Sequence, residues 1–462
     1  MNLAVVVLAA GEGTRMKSSC PKVLHCICGQ PILQYVMTEI EKLSPKETVV
    51  VVGHQAEKVT PILNKKVKVT IQDEQRGTAH AVMMAESSLQ DYNGTIMVTC
   101  GDTPLIRQET LSKLFQLHQN KKAVATLLSA ILSDPTGYGR IIRKANGTVE
   151  RIVEEKDASE KEKRVAEINS GIYCFEKEEL FSAIKKINCE NAQKEFYLTD
   201  VIEILNKQNK KVAVSVVEDS TEISGVNSRK ELAQAQTLMQ SRINDKLMEE
   251  GTTLIAPELT FIGPDVVIGR DTIVYPFSFL EGKTRIGKEC CLGPSVHLID
   301  VVIGDKVQIE NVVAEDCVIE DEVNLGPFSR LRPGTRVKKG AKIGSYVEVK
   351  KSEVGEKSKI PHLSYIGDAV IGKNVNVGAG TITCNYDGVK KYQTIIEDDA
   401  FIGSDTMLVA PVKIGKNATV GAGSAISADV PKDSLALERT EQRIIKDWSK
   451  KKRHKKDKGK QY

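Results

Sequence analysis

From residue 3 to about residue 225, short runs rich in β-branched residues alternate with longer stretches of helical spacing. Leu3 to Leu8, Thr48 to Val52, Lys66 to Ile71, Thr95 to Thr99 and Ala123 to Ala130 predict strands, and 31–43, 55–64, 77–89 and 108–119 predict helices. Such alternation predicts an α/β unit: a mostly parallel sheet covered by helices, with ligands bound beyond the carboxyl ends of the strands. Leu232, Ala235, Met239, Ile243 and Leu247 then recur at three- and four-residue steps. They predict one long amphipathic helix over 228–250, stopped by Gly251.

Beyond that helix the period changes to six. Ile262, Ile268, Val274, Leu280, Ile286, Leu292 and Leu298 form one series; Leu325, Leu331, Val337, Ile343 and Val349 form a second; Ile396, Ile402, Leu408, Ile414, Val420 and Ile426 form a third. Many are followed by Gly, as in Ile268-Gly269 and Ile402-Gly403. A sustained period of six fits neither a helix nor an ordinary strand, and predicts a solenoid of stacked hexapeptide coils, a β-helix. Between Val377 and Ile396 the period fails over AGTITCNYDGVKKYQT. An excursion from a solenoid wall is a natural binding loop.

Composition agrees with a narrow prism. Aromatics are 5% of 462 residues, with one Trp, against 34 Gly, so the core is aliphatic and small. The net charge of +4 is a property of the tail: residues 450–462 carry eight Lys or Arg (Lys450, Lys451, Lys452, Arg453, Lys455, Lys456, Lys458, Lys460) against Asp457. Without them 57 basic and 60 acidic residues remain, a net −3. The tail is expected to be a solvated, disordered terminus, with a polyanion-binding tail as the alternative. The apolar run Leu3 to Ala10 has no basic region before it and fits a buried strand rather than a signal peptide; no stretch reaches membrane-span length. A cytoplasmic protein is expected. Ten cysteines without paired C-x-x-C spacing predict reduced, mostly buried thiols.

Leu8-Ala9-Ala10-Gly11-Glu12-Gly13-Thr14-Arg15-Met16 follows the first strand, with Pro21-Lys22 soon after. Gly11 and Gly13 allow backbone N–H groups to approach a phosphate chain, and Arg15 and Lys22 offset its charge. The loop is not a Walker A loop, which needs GK[ST], and Met16 stands where a dinucleotide fingerprint has its third Gly.

The whole string resembles the signature of sugar-nucleotide pyrophosphorylases. The likeness continues through Gln72, Gly77-Thr78, Gly101-Asp102, Gly137-Tyr138-Gly139-Arg140, Val153-Glu154-Glu155-Lys156, Asn169-Ser170-Gly171 and Gly225-Val226-Asn227. Together with the hexapeptide half, the chain resembles the bacterial family of bifunctional N-acetylglucosamine-1-phosphate uridylyltransferases and glucosamine-1-phosphate acetyltransferases, which serve cell-envelope synthesis. The resemblance implies a Rossmann-like nucleotidyltransferase domain over 1–227, a linker helix over 228–250, a left-handed parallel β-helix acetyltransferase domain over 251–439 and a basic tail over 440–462. For the first domain it implies UTP or UDP-sugar contacts at Leu8, Ala9, Ala10, Gly11, Arg15, Lys22, Gln72, Gly77, Thr78, Gly101, Gly139, Glu154, Asn169 and Asn227. Gln72 and Thr78 fall on the uracil positions, Lys22 on a phosphate position, and Gly139, Glu154 and Asn169 on sugar positions. Asp102 and Asn227 match Mg2+ ligands, and oxygen donors suit that ion. Cys100 departs from the family, which often has Tyr there; a ring contact is lost and a backbone contact survives.

In the second half, His362 in Ile360-Pro361-His362-Leu363-Ser364-Tyr365 matches the general base that takes a proton from the substrate ammonium, giving the neutral amine that attacks acetyl-CoA. Arg332, Lys350, Tyr365 and Asn376 match sugar-phosphate contacts. Ala379, Asn385, Tyr386, Ser404, Ala422 and Arg439 match the acetyl-CoA positions, where small residues let the cofactor lie along the coils. The implied substrates are glucosamine 1-phosphate, acetyl-CoA, UTP and N-acetylglucosamine 1-phosphate, and the implied assembly is a homotrimer, with neither nucleic acid nor membrane as partner. Two competing readings stand beside this one. A single-activity pyrophosphorylase could carry an assembly-only β-helix, which has no reason to keep His362 with Asn385-Tyr386. A non-enzymatic nucleotide-sugar or nucleic-acid binder could anchor through the Lys tail, but the body is acidic.

Overall fold

The computed structural model describes residues 2–458. The chain divides into two compact units at Ile243/Asn244, within the helix Arg229–Glu249.

The first unit is built on a sheet whose strand order is Val212–Val216, Ala125–Ile131, Glu167–Glu176, Thr95–Cys100, Leu3–Ala9, Glu47–Val52 and Lys68–Ile71. All neighbours pair in parallel except Glu167–Glu176, which runs antiparallel to both of its own. That strand, and the hairpin of Arg140–Arg143 with Val149–Val153, are absent from the sequence expectation. The first strand reads as an unbroken apolar run because both faces are covered. Leu3, Val5, Val7 and Ala9 pack into one core cluster, Ala4 and Val6 into the other. The helix expected over 55–64 holds only as Ala56–Val59, followed by a 3-10 turn over Thr60–Ile62. Pro61 lacks the N–H that an α-helix would need there. Likewise 77–89 resolves into Thr78–Met84 and a 3-10 turn over Ser87–Leu89.

The second unit is a three-sided parallel β-helix with sheets of 11, 10 and 9 strands. One interior ladder runs Val274, Leu292, Ile309, Leu325, Ile343, and a second runs Leu280, Leu298, Ala314, Leu331, Val349, Ile366; none is more than 2% exposed. Val274 pairs with Leu292 at a step of 18 residues, but Leu292 pairs with Ile309 and Ile309 with Leu325 at steps of 17 and 16. These shortened coils cause the phase jump between the first two sequence series. Near the expected break the step lengthens to 25, as Thr383 pairs with Leu408. The excursion is narrower than the period predicts, because fully buried Thr383 fills an interior position in place of an aliphatic residue. What projects is the hairpin around the Tyr386 and Lys391 bridge.

Two expectations are corrected. All ten cysteines are free as expected, but only Cys28, Cys174, Cys290 and Cys317 are buried. Others lie on outward positions, as Cys291 does beside interior Leu292. The tail is not irregular either: Trp448–Lys458 is helical, as strong helix formers Lys and Arg permit, with its described side chains exposed. Lys460 lies outside the described residues, as do the side chains of Lys455, Lys456 and Lys458.

Each coil of the prism offers one interior side chain per face, so a deletion there leaves a void that neighbours cannot close. Ile366→Ala should destabilise the second unit by about 2–5 kcal/mol. The outward Val370→Ala should stay within about 0.5 kcal/mol. Urea midpoints of the two variants check this.

Candidate functional site

In the first unit the loop after strand Leu3–Ala9 closes over Lys22. Gly13 sits at φ +64°, and a Cβ there would come within 2.7 Å of the Lys22 Cβ, so glycine is required. The Lys22 ammonium, with its side chain 11% exposed, donates to the Asp102 carboxylate and, at 2.9 Å, to Asn227 Oδ1. Asp102 follows strand Thr95–Cys100, the parallel neighbour of Leu3–Ala9. Asn227 precedes the long helix, where its N–H donates to Glu231 Oε2 at 2.7 Å. Lys22 thus joins side chains that lie 80 and 205 positions away in sequence.

A cleft of about 270 Å3 opens beside this cluster, lined by Leu8, Ala10, Gly11, Lys22, Gln72, Gly77, Thr78, Cys100 and Asp102. Gln75 and Glu195 line it as well, and sequence reasoning missed them. Gln75 Nε2 donates to the Ala10 carbonyl at 2.6 Å, a contact across 65 residues that leaves no local pattern. Thr78 Oγ1 accepts the Leu198 N–H at 3.0 Å and keeps its own proton to donate. Ala9 is packed in the sheet core, so only its backbone can face a ligand. Gly101 N–H donates to the Leu8 carbonyl at 2.9 Å, and a Cβ there would meet Leu33 at 3.0 Å. Arg15 lies exposed on the 3-10 turn Thr14–Met16.

Gly139, Glu154 and Asn169 form a second group. The Asn169 N–H donates to the Gly139 carbonyl at 2.9 Å, and a Cβ on Gly139 would lie 3.4 Å from Glu154 Oε2. Asn169 Nδ2 donates to the Tyr173 hydroxyl at 2.7 Å, leaving the buried Oδ1 without a partner. Burial raises the Glu154 carboxyl above its ordinary value, against a hydrogen bond from Thr199 that lowers it. Desolvation, reinforced by the Asp102 carboxylate, pushes the Cys100 thiol up to about 12, so it is neutral where the cleft begins.

In the second unit, parallel register places Arg332 beside Lys350 and Lys350 beside Gly367 on successive rungs. A Cβ on Gly367 would lie 2.5 Å from the Tyr365 hydroxyl and 2.7 Å from Asn385 Nδ2, so this glycine lets both side chains crowd the wall. Asn385 Nδ2 donates to Asp368 Oδ2 at 2.6 Å. The projecting hairpin brings Lys391 against Lys350, and the facing ammonium holds Lys391 below the ordinary lysine value. Sequence reasoning missed Lys391; the signal was two lysines inside the period break. His362 ends strand Lys359–His362 and is exposed. Asn376 pairs with Lys359 on that same sheet, not on the sheet that carries Lys350 and Tyr365. Ala379, Ser404 and Ala422 fall on consecutive coils, and Arg439 Nη1 donates to the Ala422 carbonyl at 3.1 Å. A Cβ on Gly378 would meet Ser404 N at 2.5 Å, and one on Gly403 would meet Ala422 N at 2.4 Å. The Tyr386 hydroxyl donates to the Gly388 carbonyl at 2.6 Å.

The nucleotidyl transferase family matches residues 4–221, and the bacterial transferase hexapeptide family, six repeats, matches residues 393–428. Curated relatives named "Bifunctional protein GlmU" match nearly the whole chain. That of Carboxydothermus hydrogenoformans is 50% identical over 445 residues, covering 96% of this chain and 99% of its own. Those of Halalkalibacterium halodurans and Listeria monocytogenes are each 48% identical, covering 96% and 95% of this chain and 97% and 96% of theirs.

The wall behind Glu154 is acidic, and burial together with the Glu203 and Asp157 carboxylates pushes Asp200 up to about 6. A carboxyl raised on folding contributes stability below its unfolded value, near 3.8, and loses it as pH rises through the folded value. The Asp200 contribution should therefore be lost between about pH 4 and 6.5, so the difference from Asp200→Asn opens over that range. Asp200→Asn should remove that slope and gain about 1 kcal/mol at pH 7, a figure reduced for its half-exposure. Urea midpoints across that range check it.

Proposed function

The chain belongs to the bifunctional GlmU family, and from that premise we propose how its residues divide two reactions. It is a transferase with two activities in UDP-N-acetylglucosamine synthesis: acetyl transfer from acetyl-CoA to glucosamine 1-phosphate, then uridylyl transfer from UTP to N-acetylglucosamine 1-phosphate. The likeness to proteins named bifunctional runs through both units, which leaves no room for a β-helix kept for assembly alone or for a binder without activity.

In our reading the first unit carries uridylyl transfer. An oxygen of the sugar phosphate bonds to the α-phosphorus of UTP, the bond to the bridging oxygen breaks, and pyrophosphate leaves with that electron pair. The observation that carries this assignment is the Lys22 ammonium seated between Asp102 and Asn227. Two hard oxygens that converge on one cation are a donor set fit for Mg2+. Among the described residues no group of three His, Cys, Asp or Glu could hold a metal, so substrate phosphates and water would complete its shell. Bound there, Mg2+ would offset charge on the phosphates. Lys22, Arg15 and the N–H groups of the Gly11 to Gly13 loop do the same from the protein side. Gln72 and Thr78 face the base, and Gly139, Glu154 and Asn169 hold the sugar.

The second unit carries acetyl transfer. Arg332 and Lys350, joined by Lys391, hold the sugar phosphate, with Tyr365 beside them. His362 takes a proton from the substrate ammonium, the amine attacks the thioester carbonyl, and the tetrahedral adduct expels CoA thiolate, which is then protonated. Ala379, Ser404, Ala422 and Arg439 line the CoA, with Asn385 and Tyr386 at its acetyl end. Asn376 stands apart from Lys350 on another sheet, which supports a site completed by a second chain and hence a trimer. Exposed Phe328, Tyr346 and Leu363 on successive coil corners are suitable contacts for that assembly. No helix among the described residues is long and apolar enough to cross a membrane, and the substrates are cytoplasmic, where we place the enzyme.

His362→Ala should abolish CoA release and spare pyrophosphate release, and Asp102→Ala should do the reverse; parallel loss of both in folded protein would refute the division. Chelation of divalent cations by EDTA should stop uridylyl transfer and leave acetyl transfer within about twofold, since only the former develops charge on a metal-bound polyphosphate. Separate assays of the two half-reactions on one preparation decide both.

A further inference from the structure

Gln72 ends the run that leaves strand Lys68–Ile71, and it is 4% exposed at the cleft wall. Its side-chain amide is committed on one side. Nε2 donates to the Gly77 carbonyl at 3.2 Å and meets His80 Nδ1 at 3.0 Å. A carbonyl oxygen only accepts, so the atom facing Gly77 must be the amide nitrogen. His80 Nδ1 must then accept the second N–H, which places the imidazole proton on Nε2. Both N–H groups are spent on the protein, and Oε1 is the atom left to meet a ligand.

His80 is held by the short helix Thr78–Met84, which begins immediately after Gly77. Gly77 sits at φ +105°, and a Cβ there would lie 2.6 Å from the Phe196 carbonyl, so this corner is tightly fixed. The Gly77 carbonyl also accepts the Ala81 N–H at 3.2 Å. It is therefore a shared, long contact for Gln72, and His80 supplies the second anchor. A free glutamine could turn either its carbonyl or its NH2 to a base. With the NH2 held, it presents an acceptor only.

We propose that His80 is a positioning residue for base selection: it fixes the Gln72 amide so that its carbonyl faces the base pocket and selects an imide N–H. Uracil offers a donor at N3, whereas cytosine offers a lone pair there, and two acceptors opposed in a partly desolvated site repel. The proposal rests on the reading of Gln72 as a base contact.

The test compares UTP with CTP, and with dTTP as a second imide, in uridylyl transfer by the full chain. His80→Leu removes the acceptor. It should raise KM for UTP about tenfold, leave kcat within about twofold, and lower the UTP to CTP ratio of kcat/KM about tenfold. His80→Asn, whose Oδ1 stands near the position of Nδ1, should restore most of that ratio, a rescue that a merely structural role does not give. The dTTP to CTP ratio should follow the same order. Acetyl transfer and thermal melting on the same samples report folding, and His80→Ala replaces His80→Leu if the latter does not fold. An unchanged UTP to CTP ratio in folded His80→Leu, with a lowered ratio in Gln72→Leu, overturns the positioning role and leaves the base contact standing. An unchanged ratio in Gln72→Leu overturns the base contact itself.

Discussion

Parallel strand pairing is the constraint from which both sites follow. In the first unit, Leu3–Ala9, Glu47–Val52, Lys68–Ile71 and Thr95–Cys100 all run the same way, so the turns leaving them gather at one edge of the sheet. That brings the Gly11 loop, Gln72 and Asp102 around one cleft. In the second unit, in-register parallel coils put equivalent positions about 4.8 Å apart on successive rungs. Arg332, Lys350 and Gly367 therefore become neighbours although 17 or 18 residues separate each from the next. Backbone pairing sets the frame of each site, and loop contacts such as Asn227 on Lys22 and Lys391 on Lys350 complete it.

In the assignment proposed above both sites handle phosphate, and each places an ammonium group on a fixed frame. Lys22 is paired in charge with Asp102 and donates a hydrogen bond to Asn227, contacts that the proposed cation and polyphosphate would exchange for their own. Lys350 and Lys391 face each other and repel, which an anion between them would relieve. Glycine supplies the clearance in each case. Gly13 leaves room for the Lys22 stem beside its loop, and Gly367 lets the Tyr365 hydroxyl and the Asn385 amide crowd the solenoid wall. Loss of either clearance would move a polar group by more than a hydrogen bond tolerates.

The central strands and the hexapeptide ladders were readable because their signals are local. Leu3 to Ala9 is a continuous apolar run, and Val274 to Leu298 repeats every six residues. Elements that depend on distant partners were not. Glu167–Glu176 runs antiparallel because it inserts between two other strands, and nothing in its own pattern says so. Thr383 read as a break in the period, yet it fills the prism interior, because burial on a wall is decided by the coils above and below. The basic tail read as disordered from its charge, while its backbone over Trp448–Lys458 is helical.

What the sequence determined by itself was the class of each half and the identity of the residues in its loops, since period and motif are properties of neighbouring positions along one chain. The tertiary structure alone decided which polar atoms face one another. That Lys22 joins Asp102 to Asn227, that Lys391 meets Lys350, and that Gln72 has one free oxygen are facts of directed contacts between segments far apart in sequence. Hydrogen bonds and charges act over a few ångströms in space, and separation along the chain carries no record of that distance.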